Sequence, residues 1–434
     1  MAGVSRRSML VVGDAFADVI AGPLSNLPMW GRNTVSPGAI EAQPGGAAVN
    51  VASGLHCLRG DTYLFTGIGH DAFGDMLRRH CSRIGLQLLE AACSDTAQPT
   101  GVCLVLSSPE DRAFCSHFGI SDQFDAAELI AHQGAALRAI QPPLGHIHCS
   151  GYFSCAALRK TLPALLTLAR GLGATVSLDT NNDASGAWGS VDGLWSTMLP
   201  LCDLFMPNEL EACAIAGTEA SDLEGAIATL TQQVGGSVIV TLGAKGAVVA
   251  SRGREPVRVG APCVDAVDTV GAGDAFKAGF LAAYLAGCSL HEAASTGCLS
   301  GALCVTKRGA CSSPPSRTQL AAFAAAHGAD AGGFLSSADP LPGERNASHD
   351  ANADADEGID PLLHVHGGRS TERQRQWWSF CLLWLGGTWP YQAVLQAQVY
   401  YSAELPDLAS AVLLLFTWPL LLCHTLQVIC SSYA

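Results

Sequence analysis

The strongest chemical pattern in this 434-residue chain is the run Asp268-Thr269-Val270-Gly271-Ala272-Gly273-Asp274. Its Gly-Ala-Gly turn leads straight into an apolar helical pattern, Phe276, Phe280, Ala283 and Tyr284, closed by Gly287. Residues this small let successive backbone N–H groups point into one concavity at a helix N-terminus. The helix dipole adds to the pull on an anion there, which suits a transferring phosphoryl group. Asp274, in the first turn, is placed to take the proton of an attacking hydroxyl. Taken alone, the same stretch also reads as a Gly-rich loop with an acidic helix cap.

A second pattern is Pro44-Gly45-Gly46-Ala47-Ala48-Val49-Asn50. Two glycines ahead of a helical face let a polar ligand approach the backbone closely, and Asn50 can then bond a hydroxyl. The alternative is a tight strand-to-helix turn with Asn50 facing solvent. No G-x-x-x-x-G-K-[ST] loop is present, so any phosphate cradle lies elsewhere. The pairs His146/His148 and His364/His366 read as ordinary strand or loop histidines.

These residues need a scaffold, and the alternation of patterns from residue 9 to about 327 describes one. Met9 to Val12, Val176 to Leu178, Leu204 to Met206 and Val238 to Thr241 read as short buried strands. Between them, Ala48, Val51, Leu55 and Leu58 share one helical face, as do Phe73, Met76, Leu77, His80 and Ile84. The expected fold class is α/β: a mostly parallel sheet covered on both faces by helices, with ligands beyond the carboxyl ends of its strands.

The formal net charge is −14, from 24 Lys and Arg against 38 Asp and Glu, and it opposes nucleic-acid binding. The 17 cysteines are odd in number and scattered without a C-x-x-C pair, so they read as small apolar fillers in a reducing compartment. The N-terminal apolar run is too short for a signal peptide, which makes the expected location cytoplasmic. Gly328 to about residue 376 is expected to be a flexible linker. Residues 377–434 form an apolar tail, read as a membrane segment or as non-native sequence. Asn346-Ala-Ser matches a glycosylation acceptor that a cytosolic linker never presents to the machinery.

Together, the Gly45-Gly46…Asn50 and Gly271-Ala-Gly-Asp274 stretches resemble the two signatures of the ribokinase-like (PfkB) family of carbohydrate and nucleoside kinases. The resemblance covers about residues 8 to 325. Gly67-Ile-Gly-His-Asp71-Ala-Phe-Gly74 looks like the family's G-x-G-x-D-x-F-G stretch, and Thr241-Leu-Gly243-Ala-Lys-Gly246 like its nucleotide loop. Val305-Thr-Lys-Arg-Gly309-Ala310 looks like the segment that closes the ATP site. The resemblance implies a kinase domain over 1–327 with a Rossmann-like core, a parallel central sheet flanked by helices, and a small β lid built from about 14–45 and 95–120. It makes Asp274 the catalytic base and Gly271, Ala272 and Gly273 the anion hole. Asp18, Gly46 and Asn50 become substrate-binding, and Asn208, Thr241, Gly243 and Gly246 ATP-binding.

Asn208 and Glu211 fit the family's N-x-x-E element, which serves Mg²⁺ through water; by spacing alone they are a helix capping pair. Asp268 with the Gly309 carbonyl is implied as a site for a monovalent cation such as K⁺. Phe16 and Gly151 depart from the ribose-specific pattern, standing where a hydroxyl-binding Asn and a sugar-binding acid are expected. The expected activity is therefore ATP- and Mg²⁺-dependent phosphorylation of a hydroxyl on a sugar or sugar derivative. A nucleoside is the alternative, since Phe16 could stack on a base, and a catalytically silent sugar-binding protein is a further one. An exposed lid sheet could pair across a homodimer.

Overall fold

The computed structural model describes residues 7–336 apart from 93–96, 109–111, 191–192, 308, 310–312 and 330–331. Its strands are β1 (Ser8–Gly13), β2 (Phe16–Ala21), β3 (Glu41–Gly45), β4 (Thr62–Thr66), β5 (Gln87–Glu90), β6 (Gly101–Ser107), β7 (Arg112–His117), β8 (Leu144–Ser150), β9 (Thr175–Asp179), β10 (Leu204–Phe205), β11 (Ser237–Thr241), β12 (Ala247–Ser251) and β13 (Val257–Val259). The large sheet runs β13-β12-β11-β10-β9-β8-β1-β4-β5. From β5 to β11 every pairing is parallel, and β12 and β13 close one edge antiparallel. The strands β3-β2-β6-β7 form a separate small sheet.

All of β1 is buried, as a central parallel strand covered on both faces requires. Side chains alternate across the sheet, so Leu10 and Val12 enter one core while Met9 and Val11 enter the other. The first core is closed by helices such as Ala156–Gly171 and Leu223–Gln233, the second by Ala47–Arg59, Ala272–Leu285 and Leu290–Val305. Ala48, Val51, Leu55 and Leu58 form the buried face that the sequence spacing predicts. Cys149, Cys155 and Cys202 are free and buried.

Helix Ala272–Leu285 lies close to both neighbours because glycines stand at the contacts. A Cβ on Gly54 would come within 2.8 Å of the Ala278 Cβ, and one on Gly279 within 2.9 Å of the Thr296 carbonyl oxygen. The second core also takes in Phe334 and Leu335, 5% and 6% exposed, beyond the expected domain boundary at 327. The expected apolar tail lies outside the described residues; among those described, no helix is long and apolar enough to cross a membrane.

Candidate active site

Strand order reverses beside β1, whose neighbours β4 and β8 lie on opposite sides, and α/β sheets bind ligands beyond the strand ends at such a switch point. Asp14 follows the end of β1, Gly151 follows β8, and Asp179 ends β9. Asp14 is 3% exposed: Oδ1 accepts from the Ala48 amide at 3.1 Å and Oδ2 from the Ser154 hydroxyl at 2.8 Å. Burial pushes its carboxyl up to about 6 against those two hydrogen bonds. A side chain at Gly151 would strike this carboxylate, since its Cβ would lie 2.4 Å from Asp14 Cγ. The departure at Gly151 thus has a spatial cause, because Asp14 fills that place.

Asp18 lies on β2, opposite Gln43 of β3, and its carboxylate covers Gly45 so closely that a Cβ there would come within 2.3 Å. Gly46 adopts φ 93°, and a Cβ on it would meet the Phe16 amide nitrogen at 2.8 Å, so the turn excludes larger residues. Asp18 is 7% exposed, and burial, then Asp14, then Asp274 raise its carboxyl to about 7.

Gly271, in the left-handed conformation at φ 75°, caps helix Ala272–Leu285 and puts Asp274 in its first turn. Asn50 Nδ2 donates to Asp274 Oδ2 at 2.8 Å, and Lys277 Nζ stands 3.8 Å from Oδ1. Burial raises the Asp274 carboxyl to about 6, with Lys277 the largest opposing influence. Asn50 therefore holds the aspartate instead of facing solvent, and its own Oδ1 is buried with no hydrogen-bond partner among the described residues.

A cavity of about 340 Å³ is lined by Thr241, Gly243, Gly246, Ala272, Gly273 and Phe276, among others. Thr241, Gly243 and Gly246, expected to hold the nucleotide, thus share one space with Ala272 and Gly273, two of the three residues expected to form the anion hole. Asn208 joins them by bridging to Thr241 in parallel register. Its side chain accepts from the Glu211 amide at 2.9 Å while Glu211 Oε2 accepts from the Asn208 amide at 2.9 Å, a complete capping box on helix Glu209–Ala216. Glu211 is 7% exposed, and burial and then Asp179 raise its carboxyl to about 7.

Asp268 is arranged differently from the expected cation site. Oδ2 accepts from the Gly309 amide at 3.2 Å, Oδ1 from the Val270 amide at 2.9 Å, and the Arg112 guanidinium stands 3.7 Å from Oδ1. Arg112 also bonds the Thr269 hydroxyl. It is the amide of Gly309 that meets Asp268, and a guanidinium already balances the charge, so these residues do not fit a monovalent cation. Asp14, Asp179 and Lys277 were not singled out from sequence, although each had a signal. Two are acids at strand ends, and Lys277 lies three residues along the helix from Asp274.

The pfkB family carbohydrate kinase model matches residues 6–317. The chain belongs to this family. A ribokinase of Haemophilus influenzae is 40% identical over 129 residues, 29% of this chain and 42% of that protein. The acarbose 7(IV)-phosphotransferase of Actinoplanes sp. is 30% identical over 309 residues, 69% of this chain and 92% of that one. The fold is shared with Arabidopsis thaliana ribokinase complexed with ribose and ATP: TM-score 0.59 at 22% identity, covering 73% of this chain and 98% of that one. This PfkB member is a carbohydrate kinase, a phosphotransferase that uses ATP to phosphorylate a hydroxyl on a sugar or sugar derivative.

Proposed function

We propose that Asp274 takes the proton of an acceptor hydroxyl as that hydroxyl attacks the γ-phosphorus of ATP in line. One proton moves to Asp274 Oδ, the new O–P bond forms, and the bond to the β-phosphate oxygen breaks to release ADP. The observation that carries this reading is the Asp274 carboxylate in the first turn of its helix, oriented by Asn50 and next to the glycine turn that borders the cavity. Gly271, Ala272 and Gly273 face the transferring phosphoryl group with backbone amides. Thr241, Gly243, Gly246 and Asn208 hold the nucleotide.

Asp18 and the unpartnered Asn50 Oδ1 are acceptors that suit the hydroxyl donors of a sugar, with Gly46 allowing close approach. The β2-β3-β6-β7 sheet acts as the lid that keeps water out. Phe16 is 7% exposed and its ring centroid lies 6.0 Å from that of Phe118, a packing that leaves little of the ring to stack on a base and favours a sugar over a nucleoside.

The residues fit Mg²⁺. The carboxylates of Asp179 and Glu211, both buried, and of the partly buried Asp274 outnumber the one ammonium of Lys277, and such an excess suits a hard cation held through water by Glu211 and Asn208. When bound, the ion neutralises phosphate charge. No step is assigned to K⁺. On the outer lid face the row Val19, Leu104 and Cys115 is apolar, with Leu104 42% exposed, and a second copy covering it makes a homodimer. Among the described residues, Cys149, Cys155 and Cys202 are free thiols buried in the core, which supports a reducing, cytoplasmic setting.

An ATP-consumption screen against D-ribose, D-fructose, acarbose and adenosine tests the reading, with Asp274→Asn as its control. Loss of the base lowers kcat by about 10²–10⁴ while leaving the fold intact. A variant that keeps more than about a tenth of wild-type turnover defeats the assignment, and turnover of adenosine alone defeats the sugar.

A further inference from the structure

Lys277 is 7% exposed and makes an ion pair with Asp179, which is 0% exposed at the carboxyl end of β9. Asp179 is itself fixed: Oδ2 accepts from the Ser150 hydroxyl across the β8–β9 pairing at 3.3 Å, and Oδ1 from the Asn181 amide at 3.3 Å. On its other side the Lys277 ammonium is 3.8 Å from Asp274 Oδ1, and a Cβ on Gly273 would lie 3.7 Å from Nζ. One ammonium thus stands between the sheet and the aspartate, next to Gly273 of the glycine turn. A buried ion pair gains little stability over an apolar pair of the same shape, so stability alone gives no reason to keep a lysine here.

We propose that Lys277 is a positioning residue for phosphoryl transfer: anchored on Asp179, its ammonium holds the Asp274 carboxylate beneath the anion-binding turn. The proposal rests on the reading of Asp274 as the base. The groups facing this pair are few. Asn50 comes from helix Ala47–Arg59, Glu211 from helix Glu209–Ala216, Asp179 and neutral His148 from the sheet, and Asp14 and Asp18 from the end of β1 and from β2. Lys277 is the cation among them, and it opposes the burial that keeps the proton on Asp274.

The test compares Lys277→Met with the double variant Lys277→Met/Asp179→Asn, which removes both charges of the buried pair and so protects folding; Tm reports on that. The aspartate carboxyls are labelled with ¹³C, and the resonance absent from Asp274→Asn is followed against pH; this readout needs no acceptor. In both variants its midpoint rises above the wild-type value, because the influence of Lys277 on Asp274 exceeds that of Asp179. With the best acceptor of the screen, kcat at about pH 7 falls about twofold for a rise of one unit and about tenfold for a rise of two, because the wild-type carboxyl starts at about 6, and it recovers at higher pH, while KM for ATP stays within about threefold. An unmoved midpoint in the folded double variant overturns the proposal. So does a raised KM for ATP at unchanged kcat, which makes Lys277 a phosphate ligand. If Asp274→Asn keeps its turnover, the base reading fails instead, whatever the midpoint does.

Discussion

Asp18 carries its proton to a higher pH folded than unfolded, because burial beside Asp14 and Asp274 raises its carboxyl to about 7. An unfolded aspartate ionises near ~4, so between those values the folded chain binds more protons and loses stability as pH rises. Above the folded value the whole penalty remains. Asp18→Asn removes it, and we expect the variant to exceed wild type in Tm at about pH 8 and to match it near pH 4, by thermal melts of the ligand-free protein. The same change costs substrate recognition: KM for the acceptor rises by an amount worth ~1.5–3 kcal/mol, with KM for ATP little altered. Equal rises in both KM values, or a lower Tm at pH 8, would make Asp18 a structural residue.

At the scale of elements, the position of Asp274 depends on how closely its helix approaches the neighbouring ones. Gly279 is the sharpest case, because an added methyl would meet the Ser300 Cβ at 2.7 Å and the Thr296 carbonyl oxygen at 2.9 Å. Gly279→Ala gains about 1 kcal/mol in helix propensity but forces backbone apart, and overpacking costs roughly 1–3 kcal/mol. The clash is against backbone that cannot rotate away, so the expected result is a lower Tm. It comes with a reduced kcat, because the helix that carries Asp274 and Lys277 shifts. An unchanged Tm in urea or thermal melts would show that Leu290–Val305 gives way freely.

For the whole molecule, the buried Phe334 and Leu335 decide where the kinase core ends. Arg317 packs its guanidinium 4.5 Å from the Phe334 ring centroid and donates to the Phe334 carbonyl. A chain cut after Ser336 keeps these contacts, and one cut at 327 exposes part of the second core. Deleting two buried apolar side chains costs about 1.5–3 kcal/mol each before relaxation. We expect residues 1–336 to match the full chain in Tm and kcat within about twofold, and 1–327 to melt at lower temperature. Sedimentation of the 1–336 chain reads the proposed lid-mediated dimer in the same experiment. Equal melting of both truncations would mean that the terminal turn contributes nothing to the core.

Much of this was legible in the sequence by itself. The Gly-Ala-Gly-Asp turn, the Gly45-Gly46 turn and the alternation of buried strands with amphipathic helices are local patterns, and each dictates its own backbone conformation. Glycine at a positive φ and a helix N-cap need only their immediate neighbours to be recognised, and Asn208 with Glu211 forms the capping box that their spacing predicts. Pairings across the fold were not legible. Two partners of Lys277, Asp179 and Glu211, lie on a strand and a helix far along the chain, and its role depends on Asp179 being brought to the same point by the sheet. Gly151 looked like a missing acid because one-dimensional spacing cannot show that Asp14 occupies the same volume. Asp268 looked like a cation ligand until folding laid Arg112 of β7 against it. Local dihedral preference and periodicity are written residue by residue, whereas the charge balance of a buried site is a sum over groups that only the packed sheet and helices bring together.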